Sequence, residues 1–306
     1  MTWLDYSAEE VQLFLDMSKQ VKAEKQRGEF HRRFTGKTLA LLFEKNSTRT
    51  RCAFETSFGE EGGHPVFLSK ADIHLGAKES LEDTARVLGR MFNAIQFRGF
   101  KQSTAVTLAS YSGVPVYNGL TDDFHPTQAL ADMLTMEENF GNVRGKKLIY
   151  IGDCRNNVVN SLMVISSKLG LNLTIIAPKS LHPDPALITK CTESAKASGA
   201  KIAVSEDLGE VKGADAICTD VWVSMGEEDK REARIKLLKP FQVNQALMDK
   251  TGRKDSIFLH PLPAIKGEEV TMDVIDGPQS RAWDQAENRK HTIKAIMLAT
   301  INGTLD

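Results

Sequence analysis

Lys37-Thr38-Leu39-Ala40-Leu41-Leu42-Phe43 runs straight into Glu44-Lys45-Asn46-Ser47-Thr48-Arg49-Thr50-Arg51. The first seven residues are an apolar run of strand length. The next stretch, Arg51-Cys52-Ala53-Phe54-Glu55-Thr56-Ser57-Phe58, reads as a helix, so Asn46, Ser47 and Thr48 stand where an N-cap is expected. A helix start presents unpaired N–H groups and the positive end of the helix dipole. Hydroxyls and guanidiniums gathered there make an anion site, and phosphate is the anion they suit best. A capped surface helix that happens to carry arginines is the competing reading of this stretch taken alone.

The same alternation continues on both sides of the junction. Residues 8–26 have the apolar spacing of an amphipathic helix, with Val11, Leu13, Phe14, Leu15, Met17 and Val21. Strands are expected at 65–68, 94–98 and 114–118, with helices at 79–92, 103–112 and 127–140. Pro115 marks an edge or a strand end. A second run begins at Lys146, with strands at 147–153, 173–177, 201–204, 214–220 and 256–260 and helices at 158–169 and 185–198. A last helix at 285–301 is long enough to pack back on the first half. Such alternation implies an α/β chain of two doubly wound parallel-sheet domains, with an active site in the cleft between them. The expected domains are 1–140 and 141–284, with 285–301 returning to the first, and 306 residues suffice for both.

Composition narrows the function. Lys plus Arg is 39 and Asp plus Glu is 40, which argues against a nucleic-acid or membrane-surface protein. No apolar run approaches the roughly 18 residues of a membrane span. Met1-Thr2-Trp3-Leu4-Asp5-Tyr6 lacks a basic-then-apolar signal pattern. Cys52, Cys154, Cys191 and Cys218 are scattered without C-x-x-C spacing. That speaks against a metal cluster or disulfide framework and for a reducing cytoplasm. Gly152-Asp153-Cys154-Arg155-Asn156-Asn157 stands where a dinucleotide fingerprint would, but Cys154 and Asn157 replace the required glycines. No G-x-x-x-x-G-K-[ST] phosphate loop occurs.

Ligands of open parallel sheets bind beyond the carboxyl ends of the strands. Here those ends carry Ser47-Thr48-Arg49-Thr50, Arg98-Gly99, Asp122-Asp123-Phe124-His125-Pro126-Thr127-Gln128, Asp153-Cys154-Arg155-Asn156-Asn157, Asp220-Val221-Trp222-Val223-Ser224-Met225-Gly226 and His260-Pro261-Leu262-Pro263-Ala264. Each alone has a dull reading as a cap or turn. Six such ends in one chain are harder to dismiss.

Ser47-Thr48-Arg49-Thr50, Arg98-Gly99, His125-Pro126-Thr127-Gln128 and His260-Pro261-Leu262-Pro263 together resemble the carbamoyl phosphate site of the aspartate/ornithine carbamoyltransferases. Asp220 to Gly226 resembles the amino-acid loop of the ornithine branch, and Asp72-Ile73-His74-Leu75-Gly76 and Asp284-Gln285-Ala286-Glu287-Asn288-Arg289 also match that branch. The resemblance covers nearly the whole chain. It implies transfer of the carbamoyl group of carbamoyl phosphate to the δ-amine of L-ornithine, giving L-citrulline and phosphate, without metal or cofactor. In that pattern Ser47, Thr48, Arg49 and Thr50 hold the phosphate, Arg98 bridges phosphate and carbonyl oxygen, and His125 and Thr50 donate to that oxygen. Gln128 and the Leu262 carbonyl meet the carbamoyl N–H groups, and Arg289 lies near the carbonyl oxygen. His74 comes from a neighbouring subunit of a homotrimer or multiple of trimers. Asn157, Asp220, Ser224 and Met225 form the ornithine set. One departure is Pro261, where ornithine enzymes usually carry cysteine and aspartate enzymes proline. The Ser-Met-Gly loop, absent from aspartate enzymes, favours ornithine. Another amine such as putrescine or a modified ornithine, or non-catalytic carbamoyl phosphate binding, are the alternatives.

Overall fold

Residues 1–70, 73, 79–223 and 228–302 are described by a computed structural model of the chain. They divide into two compact units, Met1–Leu134 with Glu287–Asp306, and Thr135–Ala286. In chain order the first unit holds α1 (Ala8–Gln26), β1 (Thr38–Phe43), α2 (Thr48–Glu60), β2 (His64–Ser69), α3 (Leu81–Met91), β3 (Ala94–Arg98), α4 (Gln102–Ser112) and β4 (Val116–Leu120). The helix α5 (Pro126–Phe140) leads out of it. The second unit holds β5 (Lys147–Ile151), α6 (Asn157–Leu169), β6 (Asn172–Ile176), α7 (Pro185–Ser198), β7 (Ile202–Ser205), β8 (Ala216–Cys218), α8 (Arg231–Leu238), α9 (Gln245–Asp249), β9 (Ile257–Leu259) and α10 (Met272–Ile275). The helix α11 (Ala282–Ile301) carries the chain back into the first unit.

Both sheets are parallel, as alternating strands and helices require. The first has the order β2-β1-β3-β4 and the second β7-β6-β5-β8-β9. The period of two along β1 explains the layering. Leu39, Leu41 and Phe43 enter one core with Phe54 and Phe58 of α2 and Ile293, Met297 and Leu298 of α11. Ala40 and Leu42 enter the opposite core with Ala85 and Leu88 of α3 and Ala105 and Leu108 of α4. A strand covered on both faces must be apolar throughout, and Leu39 to Phe43 are all buried. In the second sheet Ile149, Ile151, Ile176, Ile217 and Phe258 share one core with Leu247, Met248, Val274 and Ile275.

Strand order reverses between β1 and β3 in one unit and between β5 and β8 in the other. In open parallel sheets such reversals are where ligands bind, beyond the carboxyl ends of the strands. Gly152 ends β5 at φ 134°, a backbone conformation closed to most side chains. The expected strand at 114–118 starts at Val116. Pro115 lies just outside, where its carbonyl accepts from Ile95 N at 2.9 Å but it has no N–H to offer a ladder. The expected strand at 214–220 is only Ala216–Cys218, because Thr219 and Asp220 already belong to the loop beyond the sheet.

Helices α3 and α4 approach closely because α3 carries Gly89 at their contact. A Cβ on Gly89 would lie 1.7 Å from the Ser112 carbonyl oxygen, which is backbone and cannot rotate away. Gly89→Ala is therefore expected to destabilise the protein by about 2–3 kcal/mol through overpacking. Met91→Ala, at an exposed site of the same helix, should stay within about 0.5 kcal/mol of the parent. Denaturant unfolding of both variants measures this; equal midpoints would show that the α3–α4 contact tolerates a methyl group.

Candidate active site

Ser47 caps α2 from an extended conformation and accepts from Thr50 N at 3.2 Å. That capping bond fixes the first turn of α2, so Thr48, Arg49 and Thr50 occupy the positive end of the helix. Thr50 is buried, and its hydroxyl is the meeting point of two arginines. Arg98, the last residue of β3, donates from Nη1 to Thr50 Oγ1 at 3.3 Å. Arg289 of α11 donates from Nη2 to the same oxygen at 3.0 Å. Arg289 also reaches Gln128 Oε1 at 2.9 Å and Thr127 Oγ1 at 3.3 Å. Gln128 in turn donates to Asp132 Oδ1 at 2.8 Å, one helical turn further along α5. The turn after β3 depends on Gly99, since a Cβ there would stand 2.2 Å from both Glu44 Oε2 and the Phe97 ring.

These cations have left water. Arg98 is 7% exposed and Arg289 2% exposed, and the Nε of each has no hydrogen-bond partner among the described residues. Burial, then the charge of Arg49, pulls Arg98 down to about 10. Burial, then the charge of Arg98, pulls Arg289 down to about 9, against a smaller opposing effect of Asp132. His125 lies in the same place, 5% exposed, with Nδ1 3.5 Å from Thr127 Oγ1. Burial, followed by the charges of Arg289, Arg98 and Arg49, holds its imidazole well below the usual histidine range. Buried guanidiniums with an unmade N–H can accept a compact anion as their partner.

In the second unit the polar groups again follow the carboxyl ends of neighbouring strands. After β5, Asn156 caps α6, accepting from Val158 N and Val159 N at 3.0 and 2.9 Å and donating to Tyr150 Oη at 2.9 Å. Asn157 is the first residue of that helix. Asp220 follows β8 and accepts from Val221 N at 2.8 Å. Burial, then the charge of Asp220, pushes the Tyr150 hydroxyl well above its usual range, so Asp220 acts on the region that Asn156 spans. Asp153 is buried and paired with buried Arg234 of α8. After β9, Leu262 adopts φ 61°. Pro261 is buried and Leu262 half-buried. Cys154, which precedes α6, is wholly buried, whereas Cys52 of α2 is exposed.

Of the residues expected from sequence, Thr50, Arg98, His125, Gln128 and Arg289 come together in the first unit, with Ser47, Thr48 and Arg49 in the adjoining turn. Asn157 and Asp220 lie after neighbouring strands of the second. His74, Ser224 and Met225 fall outside the described residues. Sequence reading passed over Thr127, which accepts from Arg289, and Asp132, which holds Gln128. Asp132 carried a signal in its i, i+4 spacing from Gln128.

Comparison with known proteins follows the same division. A family model described as aspartate/ornithine carbamoyltransferase, carbamoyl-P binding domain, matches residues 1–138. One described as the Asp/Orn binding domain of the same family matches residues 144–300. An ornithine carbamoyltransferase of Caldanaerobacter subterraneus subsp. tengcongensis is 60% identical over 302 residues, 98% of this chain and 96% of its own. A catabolic ornithine carbamoyltransferase of Bacillus licheniformis is 52% identical over 320 residues, 99% of this chain and 95% of its own. The solved structure of ornithine carbamoyltransferase from Pyrococcus furiosus has a TM-score of 0.94 at 45% identity, covering 99% of this chain and 96% of that one.

The depressed proton affinity of His125 sets a pH dependence of stability. An unfolded histidine takes up a proton near pH 6.5, and the folded site refuses it. Stability from this group is therefore complete above about pH 6.5 and declines as pH falls below it. His125→Asn should make stability between about pH 5 and 6 less steep by up to about 1.4 kcal/mol per pH unit. Denaturant unfolding across that range is the measurement, and an unchanged slope would mean that the folded site accepts the proton.

Proposed function

The chain belongs to the aspartate/ornithine carbamoyltransferase family, and we propose that it transfers the carbamoyl group of carbamoyl phosphate to the δ-amine of L-ornithine, releasing L-citrulline and phosphate. The observation that carries this reading is the pair of buried arginines on Thr50 Oγ1, each with an Nε–H that no described residue accepts. A phosphorylated substrate is the anion that completes them.

In this reading Ser47, Thr48, Arg49 and Thr50 hold the phosphate, and Arg98 spans phosphate and carbonyl oxygen. Thr50 Oγ1 already accepts two N–H bonds, so its hydroxyl hydrogen is left to donate to the carbonyl oxygen. Thr127 can donate to His125 Nδ1, which places the imidazole hydrogen on Nε2 and aims it at the same oxygen. A neutral His125 serves as hydrogen-bond donor to developing negative charge, as Arg289 does beside it. Gln128 Oε1 and the Leu262 carbonyl accept from the carbamoyl N–H groups. Asp220 faces the α-amino group of ornithine, with Asn157, Ser224 and Met225 completing its set. The δ-amine attacks the carbamoyl carbon, the bond to the phosphate oxygen breaks, and the proton lost by the amine is taken up by the departing phosphate. That amine must be neutral: with an ordinary value near 10.4, reaching the free base at pH 7.4 costs about 4 kcal/mol.

The first family domain thus serves carbamoyl phosphate and the second ornithine. The working assembly is a homotrimer or a multiple of trimers, with His74 given to a neighbouring subunit's phosphate site. Four cysteines without disulfides suit a cytoplasmic setting. Pro261, which offers no thiol to the substrate, makes the choice of amine the property most in need of measurement.

Citrulline formation assayed with a panel of amines tests the reading directly. Ornithine should give the highest kcat/KM, and faster carbamoylation of putrescine would reassign the acceptor. Arg49→Ala should lower turnover by about one to four orders of magnitude, as expected from losing one or two charge-assisted bonds, with the fold intact. Near-normal turnover and carbamoyl phosphate affinity in that variant would refute the phosphate site.

A further inference from the structure

His260 and Glu269 are both fully buried, with exposures of 0%. Neither side chain faces solvent, and together they act on one backbone segment. Leu262 N donates to His260 Nδ1 at 2.9 Å. A ring nitrogen that accepts a hydrogen bond carries no hydrogen, so the imidazole hydrogen lies on Nε2. That Nε2 faces Glu269 Oε1 at 3.2 Å, which makes the carboxylate its acceptor. The same Oε1 accepts from Ile265 N at 2.6 Å, beyond the other end of the 261–264 segment. His260 N itself donates to Gln285 Oε1 at 2.8 Å, which fixes the imidazole from its own backbone.

Between these ties Leu262 holds φ 61°, a left-handed conformation that a leucine adopts only when its surroundings impose it. The bond to His260 Nδ1 determines where the Leu262 N–H points. With the peptide geometry and the Ile265 tie, it determines where the Leu262 carbonyl points as well.

We propose that His260, oriented by Glu269, is a positioning residue that sets the Leu262 carbonyl as the acceptor for a carbamoyl N–H. This rests on the carbamoyl phosphate reading above. It adds that selectivity for a carbamoyl group over bare phosphate is built into a histidine–carboxylate pair that touches no substrate atom. The imidazole works as a fixed acceptor in a single tautomer, and no proton is transferred.

Two probes separate this from a general structural role. Phosphonoacetamide carries a carboxamide N–H2 on a phosphonate; inorganic phosphate has no such group. His260→Leu removes the acceptor for Leu262 N–H. It should bind phosphonoacetamide about tenfold more weakly than the parent, as expected for one lost hydrogen bond, while its affinity for inorganic phosphate is unchanged. His260→Asn returns an acceptor oxygen close to the Nδ1 position and should recover most of the loss. Equal weakening toward both probes, no weakening toward either, or no recovery in His260→Asn would overturn the proposal. If His260→Leu does not fold, the nitrogen-15 spectrum of histidine-labelled parent protein decides: His260 must show a protonated Nε2 and a bare Nδ1, and the reverse tautomer would overturn it. A parent that forms no citrulline but prefers phosphonoacetamide in a His260-dependent way would defeat the transferase reading and leave this one standing. Citrulline formation with no His260 effect would do the opposite.

Discussion

Two guanidinium groups donate to one threonine oxygen in a place almost closed to water, and a third lies near enough to weaken the proton hold of both. Like charges so arranged repel, and burial removes the solvent that would screen them. The first unit accepts that cost because four separate elements converge on Thr50. The cap at Ser47 fixes the start of α2, the end of β3 delivers Arg98, α5 supplies Thr127 and Gln128, and α11 brings Arg289. Asp132 offsets part of the repulsion through Gln128. An anion bound here would relieve the remainder and stabilise the folded chain by mass action.

Much of this could be read in the sequence, for identifiable reasons. An uninterrupted apolar run at 39–43 has the length of a strand covered on both faces, and the cores on either side divide its residues by parity. The junction at Ser47 follows from capping chemistry, and Arg98 and His125 from their places at strand ends. The position of Arg289 came from family resemblance, since nothing in local pattern ties a residue of the last helix to the first strand. Glu269 was invisible because eight residues of irregular chain lie between it and His260, with no periodicity to connect them. The pairing of Asp153 with Arg234 was equally hidden, because tertiary packing brings α8 against the end of β5. Strand limits were overestimated where residues such as Thr219 and Asp220 are buried or half-buried like strand residues but belong to loops.

The two units use buried polar groups differently. In the first, hydrogen-bonding capacity is left over: Arg98 and Arg289 keep an unaccepted Nε–H. In the second, His260 and Asp153 are paired with Glu269 and Arg234 and tied to backbone at the ends of β9 and β5, while Glu269 Oε2 has no hydrogen-bond partner among the described residues. Buried side chains bonded to backbone mark loops that must keep their shape.

The route of the chain also bears on its synthesis. Residues 135–286 form one unit from a continuous segment, whereas the first unit draws on residues from both sides of it. Ile293, Met297 and Leu298 complete the core that Leu39 and Phe54 begin. On a ribosome, the later-numbered unit therefore has all its parts while the earlier one still lacks a wall and its Arg289. The N-terminal segment must wait, with the core of Leu39, Leu41 and Phe43 covered by α2 but still open where α11 will pack, until α11 emerges. Helix α11 completes the core on one face of the first sheet, so the cluster of arginines on Thr50 comes into being only after the whole of the second unit has been made.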